Sequence, residues 1–488
     1  MWKKYFFLLA VIATAGFISC QSNEKKQKVK PNVLLLYMDD LRPQLGCYHN
    51  TKIQSPHIDK LAQSGILFTE AYCNVPVCGA SRACMLTGMY PTKNRFIDYS
   101  TFVQKDAPEA VSFPKLFKEN GYITISNGKI YHHLDDNMSD WDEVWRPYAF
   151  EPNDKGLSPS EYWESLWKDY QLPENKKLYK ETGNGPAFEK AEVVDSAYID
   201  GLMTEKVIRD LKKLATQNKP FLLTAGFISN HLPFNAPARY WDVYPHSEIQ
   251  QPYNNFVPEN CPPQAISNWY ELRGYLGIPK EGQVSDDTAK LLIHGYDATV
   301  SYVDALIGKI LQTLKSLGLE KNTIVLLVAD HGYNLQEHTL WAKYTSFRIT
   351  ARVPLIFYVP WLEGGKTTSA LTELVDIYPT LAELCGLNPP QNQLDGKSLV
   401  PVLNDPSRKG KEYVFVKTAN AFMLKTPRYG YTEFINLKTG ETETTMLYDH
   451  DIDPDENVNV VANPQYKPVV DSLHRILHQK FKRNIKGI

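Results

Sequence analysis

The sequence predicts an α/β protein with a large, mostly parallel sheet flanked by helices, followed by a smaller C-terminal domain with an antiparallel sheet. Continuous apolar runs alternate with helix-spaced apolar patterns through most of the chain. That alternation is typical of a parallel sheet buried on both faces. Near residue 405 the pattern changes to short strands and a basic terminal helix. We therefore predict a main domain over 31–405 and an α+β subdomain over 406–488.

Each element is predicted from its own local pattern. Short apolar runs predict strands at 32–38, 122–126, 221–227, 323–329 and 355–359, and in the C-terminal region at 413–417 and 429–437. Apolar residues at helical spacing predict helices at 56–64, 112–120, 193–215, 287–317 and 371–385. The first of these helices begins after Ser55 and ends at Gly65, and Gly121 closes the second.

The first 20 residues resemble a bacterial lipoprotein signal peptide. Lys3 and Lys4 precede an apolar run too short to span a membrane, and that run ends directly before Cys20. We expect lipidation of Cys20 and export to the bacterial periplasm or cell envelope. An ordinary signal peptide cut nearby is the alternative. Residues 21–30 are charged and lack apolar periodicity, which predicts a disordered tether.

Charge and cysteine content exclude several classes of protein. The chain has 53 Lys and Arg against 55 Asp and Glu, so no overall field favours nucleic acid, and we expect membrane contact only through the lipid anchor. An anionic substrate must then be held by a few local cations. The seven cysteines show no C-x-x-C pair, which argues against a zinc site or a disulfide framework. A bridge between Cys73 and Cys84 stays open.

Carboxylates follow two predicted strands at the point where each strand ends. Asp39 and Asp40 come directly after 32–38, and Asp330 and His331 directly after 323–329. Open α/β sheets bind ligands outside these strand ends. One such pair would often be a turn or a helix cap, but two equivalent pairs predict a divalent cation site, suited to Ca²⁺ or Mg²⁺. His331 is an unusual calcium ligand and leaves the identity of the metal open.

Further polar groups fall at the same edge of the predicted sheet. Lys129 and His132 follow the strand at 122–126, His231 follows 221–227, and Lys343 comes a short way after Asp330. Each alone is commonly a structural or surface residue. Together, around one metal, they predict an anion site. With a nucleophile, this arrangement suits transfer of a tetrahedral oxyanion, either sulfate or phosphate.

A short segment supplies that nucleophile and a family resemblance. Cys78-Gly-Ala80-Ser-Arg82, with Leu-Thr-Gly at 86–88, resembles the sulfatase signature Cys-x-(Pro or Ala)-x-Arg, whose cysteine is oxidised to formylglycine. The segments MDDLRPQLGCYHN, FKENGYITISNGKIYH, HLPF and ADHGYNLQEHTLWAKY extend the resemblance along nearly the whole mature chain. They look most like iduronate 2-sulfatases and bacterial hexuronate 2-O-sulfatases. The resemblance implies the alkaline-phosphatase-like fold of sulfatases.

The resemblance also implies roles for the residues at the strand ends. A calcium ion would be held by Asp39, Asp40, Asp330, His331 and the modified Cys78. One hydroxyl of a hydrated aldehyde attacks sulfur, and the other lets the sulfated intermediate collapse, whereas a serine-like nucleophile would stall. Arg82 would stabilise the diol, and Lys129 and Lys343 would neutralise the sulfate oxygens. His132 would assist at the diol, and His231 would protonate the leaving oxygen.

The implied reaction removes the 2-O-sulfate of a terminal hexuronic acid, saturated or unsaturated, from sulfated glycosaminoglycan oligosaccharides. Heparin, heparan, chondroitin and dermatan sulfates all contain such units. Ala80 replaces the commoner proline, which implies a radical-type anaerobic sulfatase-maturing enzyme as partner. Partners for the uronate carboxylate stay open among Arg95, Tyr333, Tyr344 and Arg348. Alternatives are a 6-O- or N-sulfatase, a phosphate or phosphonate monoester hydrolase, and a lipoprotein that binds sulfated glycans without cleaving them.

Overall fold

The computed structural model describes residues 30–149, 156–266 and 270–486. The predicted signal peptide, with Cys20, and nearly all of the predicted tether lie outside these residues. Across the described ranges, no helix combines the length and the apolar character needed to cross a bilayer.

The strands fall into a large sheet, a C-terminal sheet and short two-stranded pairs. In chain order they are β1 Asn32–Met38, β2 Ile66–Tyr72, β3 Ile123–Gly128, β4 Glu143–Trp145, β5 Phe188–Ala191, β6 Phe221–Gly226, β7 Phe234–Pro237, β8 Thr323–Ala329, β9 Asn334–Leu335, β10 Trp341–Ala342, β11 Arg352–Tyr358, β12 Lys366–Thr368, β13 Thr372–Glu373, β14 Val414–Lys417, β15 Ala421–Lys425, β16 Tyr429–Ile435 and β17 Thr442–Asp449.

The helices range in length from 4 to 31 residues. In chain order they are α1 Pro56–Ser64, α2 Cys78–Thr87, α3 Val103–Asp106, α4 Phe113–Glu119, α5 Pro159–Leu166, α6 Pro173–Thr182, α7 Ile199–Leu214, α8 Ala238–Trp241, α9 Asp286–Ser316, α10 Arg348–Ala351, α11 Ile377–Leu384, α12 Val400–Asn404, α13 Lys467–Lys480 and α14 Lys482–Lys486.

The large sheet has the strand order β12-β2-β11-β8-β1-β6-β3-β4, with β13 beside β2. The strands from β8 to β4 run parallel, while β11 is antiparallel to both of its neighbours. This confirms the predicted α/β class with a mostly parallel sheet. Every residue of β1 and β8 is buried, as expected for strands covered on both faces. Because Met38 pairs with Ala329, the residues that follow the two strands leave the sheet side by side.

The C-terminal region forms its own antiparallel sheet in the order β14-β15-β16-β17. Helix α13 packs on this sheet: Leu473 and Leu477 join Phe415 and Phe422 in one apolar cluster. The predicted C-terminal antiparallel sheet is thus confirmed. The boundary near residue 405 stays a prediction.

Two predicted helices differ from the structure, and strand β2 is additional. Helix α7 begins at Ile199 rather than at residue 193, because Asp195–Ala197 form a separate 3-10 turn and Tyr198 is extended. The helix predicted at 371–385 is shortened to α11, since its first residues pair with β2 as β13. Strand β2 was not predicted, although an apolar run follows Gly65. Cys73 and Cys84 are both free cysteines, so they form no bridge.

Candidate active site

Cys78 is the first residue of α2, at the point where the extended chain turns into the helix. Its side chain is almost fully buried. The next residue must be glycine, because a Cβ at Gly79 would lie 2.3 Å from the carbonyl oxygen of Tyr99. The close approach of the Tyr99 backbone therefore packs the start of the helix tightly and restricts where the Cys78 side chain can point.

Four groups converge beside the start of α2. Ligand atoms of Asp39, Cys78, Asp330 and His331 all lie within 4.8 Å of one another. Among the described residues, Asp39 Oδ1 and His331 Nε2 are buried without a hydrogen-bond partner. Burial and the charge of Asp39 raise the pKa of Asp330 to about 7, so the negative charge of Asp330 is only partly balanced by its neighbours. Ligand atoms without hydrogen-bond partners, next to two neighbouring carboxylates, together fit a divalent cation.

Asp40 lies beside this group but makes different contacts. Its backbone is left-handed, with φ at 56°, and its amide donates to Asp330 Oδ1 at 3.2 Å. Its carboxylate accepts from Lys343 Nζ at 2.9 Å through both oxygens and lies 3.3 Å from His331 Nδ1. Asp40 thus connects the four residues that fit a metal ion to the nearby cation Lys343.

Arg82 lies one helical turn after Cys78 and is completely buried. Its Nε donates to Asp330 Oδ2 at 2.9 Å, and its Nη2 is 3.6 Å from Asp39 Oδ1. The guanidinium also stacks 4.3 Å above the Tyr37 ring and donates to the backbone carbonyls of Lys129 and Ile130. It therefore fixes both carboxylates and connects them to the end of β3.

Lys129 enters the site because β3 and β6 come unusually close at their ends. A Cβ on Gly128 would lie 2.0 Å from the carbonyl oxygen of Gly226, and Gly128 has a left-handed φ of 67°, so glycine is required there. Lys129 Nζ then pairs with Asp39 Oδ2 and lies 4.0 Å from the centre of the Trp167 ring.

His231 and Lys343 share a carboxylate that the sequence did not single out, Glu271. His231 Nε2 is 2.7 Å from Glu271 Oε1, and Lys343 Nζ is 3.2 Å from Glu271 Oε2. His231 Nδ1 lies 2.7 Å from the carbonyl oxygen of Leu232. A carbonyl only accepts, so Nδ1 carries a hydrogen. Burial and Lys343 lower the pKa of His231, but Glu271 and Asp40 outweigh them and hold it well above its usual value.

The surroundings of Cys78 stabilise negative charge. Burial alone would raise the pKa of the Cys78 thiol. The charges of Lys129 and Lys343, with hydrogen bonds from His132 and His231, instead hold that pKa well below its usual value. Burial and nearby Lys129 lower the pKa of His132 to about 4, so His132 is neutral. An anion at this position would be met by the same cations.

The structure brings all the predicted site residues into one connected group, and their individual roles stay predictions. The four residues considered for a uronate carboxylate have other contacts. Arg348 pairs with Glu70 at 2.6 Å, Arg95 donates to the Tyr90 carbonyl, and the Tyr344 hydroxyl donates to the Ile97 carbonyl. Tyr333 is fully buried. The charge of Arg348 is therefore already paired with a carboxylate, whereas Arg95 is held against a neutral carbonyl.

Comparison with known protein families identifies this arrangement. Residues 31–387 match the model of the sulfatase family. The chain belongs to the sulfatase family. It is therefore a sulfuric ester hydrolase, and sulfatases generally use a formylglycine and a divalent metal. Residues 336–483 of this sulfatase also match the model described as N-sulphoglucosamine sulphohydrolase, C-terminal.

Individual relatives agree with this assignment. The chain is 32% identical to an iduronate 2-sulfatase of Mus musculus over 80% of its own length and 75% of the relative's. It is 31% identical to a sulfatase of Formosa agariphila over 98% and 92% of the two chains. A protein solved in complex with its substrate D-glucosamine-2-N,6-O-disulfate superposes with a TM-score of 0.73, covering 93% and 98% of the two chains at 22% identity. This structural likeness confirms the predicted sulfatase fold.

Proposed function

We propose that this sulfatase removes the 2-O-sulfate of a terminal hexuronic acid from glycosaminoglycan oligosaccharides. The observation that carries the proposal is the 32% sequence identity between this chain and the iduronate 2-sulfatase of Mus musculus, over 80% of the chain. The electropositive surroundings of Cys78 support it, since they suit an anionic ester that brings its own negative charge to the site.

We assign the reaction to the chain's own residues as follows. Formylglycine at position 78 would supply the nucleophile, and a divalent cation, Ca²⁺ first and Mg²⁺ second, would supply Lewis-acid polarisation of the sulfate. Lys129 and Lys343 hold the sulfate oxygens, because their ammonium groups already act on Cys78. Arg82 keeps Asp39 and Asp330 in place for the cation.

His231 is the proton donor to the leaving sugar oxygen in this proposal. Its Nδ1 hydrogen is held by the Leu232 carbonyl, and Glu271 favours a second proton on Nε2. The ring is then an imidazolium, which can give up a proton as the S–O bond breaks. Because His231 also hydrogen-bonds Cys78, that proton lies beside the reacting centre. His132, which is neutral, accepts a proton there.

The sugar would bind against Trp167 and Lys168. The Trp167 ring lies 5.4 Å from the His231 ring and 5.5 Å from the His132 ring, so it forms a wall of the site. Its indole N–H is buried without a hydrogen-bond partner among the described residues. Lys168 is half-buried near the rings of Tyr179 and Tyr275, and burial lowers its pKa. We propose that Lys168 binds the uronate carboxylate.

The test is a panel of defined disaccharides with the sulfate at one position only. We expect the highest kcat/KM for terminal 2-O-sulfated uronate, with or without the double bond. Lys168→Met should raise KM for that substrate about tenfold or more through loss of one charge-assisted contact. The matched control is Lys177→Met on exposed α6, which should change nothing. Equal turnover of a 2-O-sulfate on an internal uronate of a defined tetrasaccharide, or no effect of Lys168→Met, would contradict the proposal.

One observation favours a second candidate, an N-sulfatase. The C-terminal region matches the model described for N-sulphoglucosamine sulphohydrolase. The same disaccharide panel decides between the two, because an N-sulfated glucosamine would then be cleaved faster than a 2-O-sulfated uronate. A 6-O-sulfated glucosamine completes the comparison.

We further propose how this sulfatase matures and where it acts. Ala80 lies in the first turn of α2, buried beside Cys78, and its presence supports conversion of Cys78 by a radical-type anaerobic maturing enzyme. The sequence of residues 1–20 supports export with Cys20 lipidated, so that the enzyme is anchored in the bacterial periplasm or cell envelope. Metabolic labelling with a fatty acid, lost in Cys20→Ala, tests the anchor.

A further inference from the structure

We propose that Glu433, His474 and His478 form a second metal site, for a transition metal of the Zn²⁺ class, in the C-terminal region. One ligand atom from each of these residues lies within 4.8 Å of the other two. The cluster joins strand β16 to helix α13 and shares no residue with the catalytic site. Its ligands also differ in kind, being two imidazoles and one carboxylate.

The backbone places the three side chains on facing surfaces. Glu433 is in the middle of β16, and its side chain is completely buried. His474 and His478 lie at positions i and i+4 of α13, so their rings project from the same helix face. The ring centres are 4.4 Å apart. Two histidines at this helical spacing are a recurring zinc-binding arrangement.

The carboxylate is oriented as a metal ligand would be. The Tyr431 hydroxyl donates to Glu433 Oε1 at 2.9 Å, and the Thr442 hydroxyl donates to Oε2 at 2.6 Å. Each oxygen therefore keeps one lone pair, which faces His474 Nδ1 2.8 Å from Oε1 and His478 Nε2 2.8 Å from Oε2. A metal bound between them would take the place of the two N–H hydrogens, which would be released as protons. Hydroxyl donors that fix a ligating carboxylate in this way are typical supports of a metal site.

The ligand set selects the metal. Imidazole nitrogens suit Zn²⁺, Ni²⁺ and Cu²⁺, whereas Ca²⁺ takes six to eight oxygens. Two histidines and one glutamate leave a fourth tetrahedral position for water. Access exists, because the His474 side chain is 53% exposed and that of His478 is 25% exposed. This site and the catalytic site should therefore prefer different metals.

The site would fasten the terminal helix to its sheet. Leu473 and Leu477 already bury the apolar side of α13, and a bound metal would hold the polar side to β16. Any metal that binds only the folded chain stabilises it by mass action. Without a metal, the same three residues would form a hydrogen-bonded His–Glu–His network, and the experiment distinguishes these two states.

The test is a calorimetric titration of Zn²⁺ into the full-length chain with Cys78→Ala, in excess Ca²⁺. The alanine removes the thiolate that would otherwise bind Zn²⁺ at the catalytic site. We expect one Zn²⁺ per chain with a Kd of about 1 µM or tighter. His474→Asn and His478→Asn should each weaken binding at least about 100-fold, and Thr442→Val about 10- to 100-fold. Co²⁺ should give the visible absorption of a tetrahedral site.

The control variant is His49→Asn, at an exposed histidine whose left-handed φ of 68° suits asparagine. It should bind Zn²⁺ as the parent chain does. Circular dichroism checks folding, and each histidine variant made with Cys78 intact should keep its sulfatase activity. Zn²⁺ binding that is absent, that Ca²⁺ displaces, or that survives the double variant of His474 and His478 would overturn the proposal.

Discussion

Glu271 offers the sharpest test of the proposed proton donor. Glu271→Gln keeps the size and shape of the side chain but removes the charge that faces His231 Nε2 at 2.7 Å. The proton on Nε2 is then held less firmly, and the imidazolium becomes less populated. A sugar alkoxide needs that proton to leave, whereas a nitrophenolate leaves readily without it. The effect of the substitution should therefore depend on the leaving group.

The structure gives the size of the effect. A hydrogen bond to a charged group contributes about 1.5–3 kcal/mol, against about 1 kcal/mol for a neutral one. Glu271→Gln should then cost about 0.5–2 kcal/mol, which is about 2- to 30-fold in kcat/KM on a sugar sulfate. On 4-nitrophenyl sulfate we expect a loss of about twofold or less, because little proton transfer is needed.

Steady-state kinetics on the two substrates, with Glu271→Asp as the conservative variant, measures the difference. Partial recovery by Glu271→Asp on the sugar sulfate would support a charge acting on His231. An equal loss on both substrates would mean that Glu271 acts through Lys343, which it also contacts at 3.2 Å. No loss on either substrate would refute the role of Glu271.

Three further predictions test the rest of the site. Arg82→Lys, which keeps the charge but cannot keep every contact of the buried guanidinium, should lower the free energy of unfolding by about 1–3 kcal/mol in urea denaturation. Lys343→Met should lower kcat about 100- to 1000-fold in steady-state assays, since it removes a cation from the sulfate. Chelation should abolish hydrolysis and lower the melting temperature in calorimetry, because Asp39 and Asp330 repel each other when no metal lies between them. Added Ca²⁺ should restore both the activity and the melting temperature.

Each of these predictions has a result that would contradict it. An Arg82→Lys chain as stable as the wild type would show that the contacts which only a guanidinium can make contribute little. A Lys343→Met enzyme with normal kcat would exclude the lysine from the reaction, with Lys177→Met as the control for a lost surface charge. Full activity after exhaustive chelation would exclude a metal role for Asp39 and its neighbours.

Much of the site could be predicted because strand ends determine it. Asp39 and Asp330 follow fully buried strands, and parallel pairing of β1 with β8 places them side by side. Lys129 follows the end of β3, which pairs in parallel with β6 in the same sheet, so it lies at the same edge. For these residues, local apolar runs and one rule of sheet topology are enough.

Glu271 could not be predicted in this way. It lies just before a single 3-10 turn, and a bridge from Leu276 to Pro186 ties that irregular stretch to the rest of the fold. No strand or helix periodicity marks such a residue, and only the tertiary fold shows that it contacts His231 and Lys343. The start of α7 was also missed for a tertiary reason, because Asp195 pairs with Lys309 of α9 at 2.6 Å.

The mass of the peptide that ends at Arg82 shows directly whether Cys78 has been converted to formylglycine. The protein should be purified from cells grown without oxygen that carry the maturing enzyme, denatured, digested and analysed by mass spectrometry, with Cys78→Ala as the unmodified reference. We expect formylglycine at position 78, in a fraction that rises in step with sulfatase activity. An active enzyme whose Cys78 is still a thiol would contradict it.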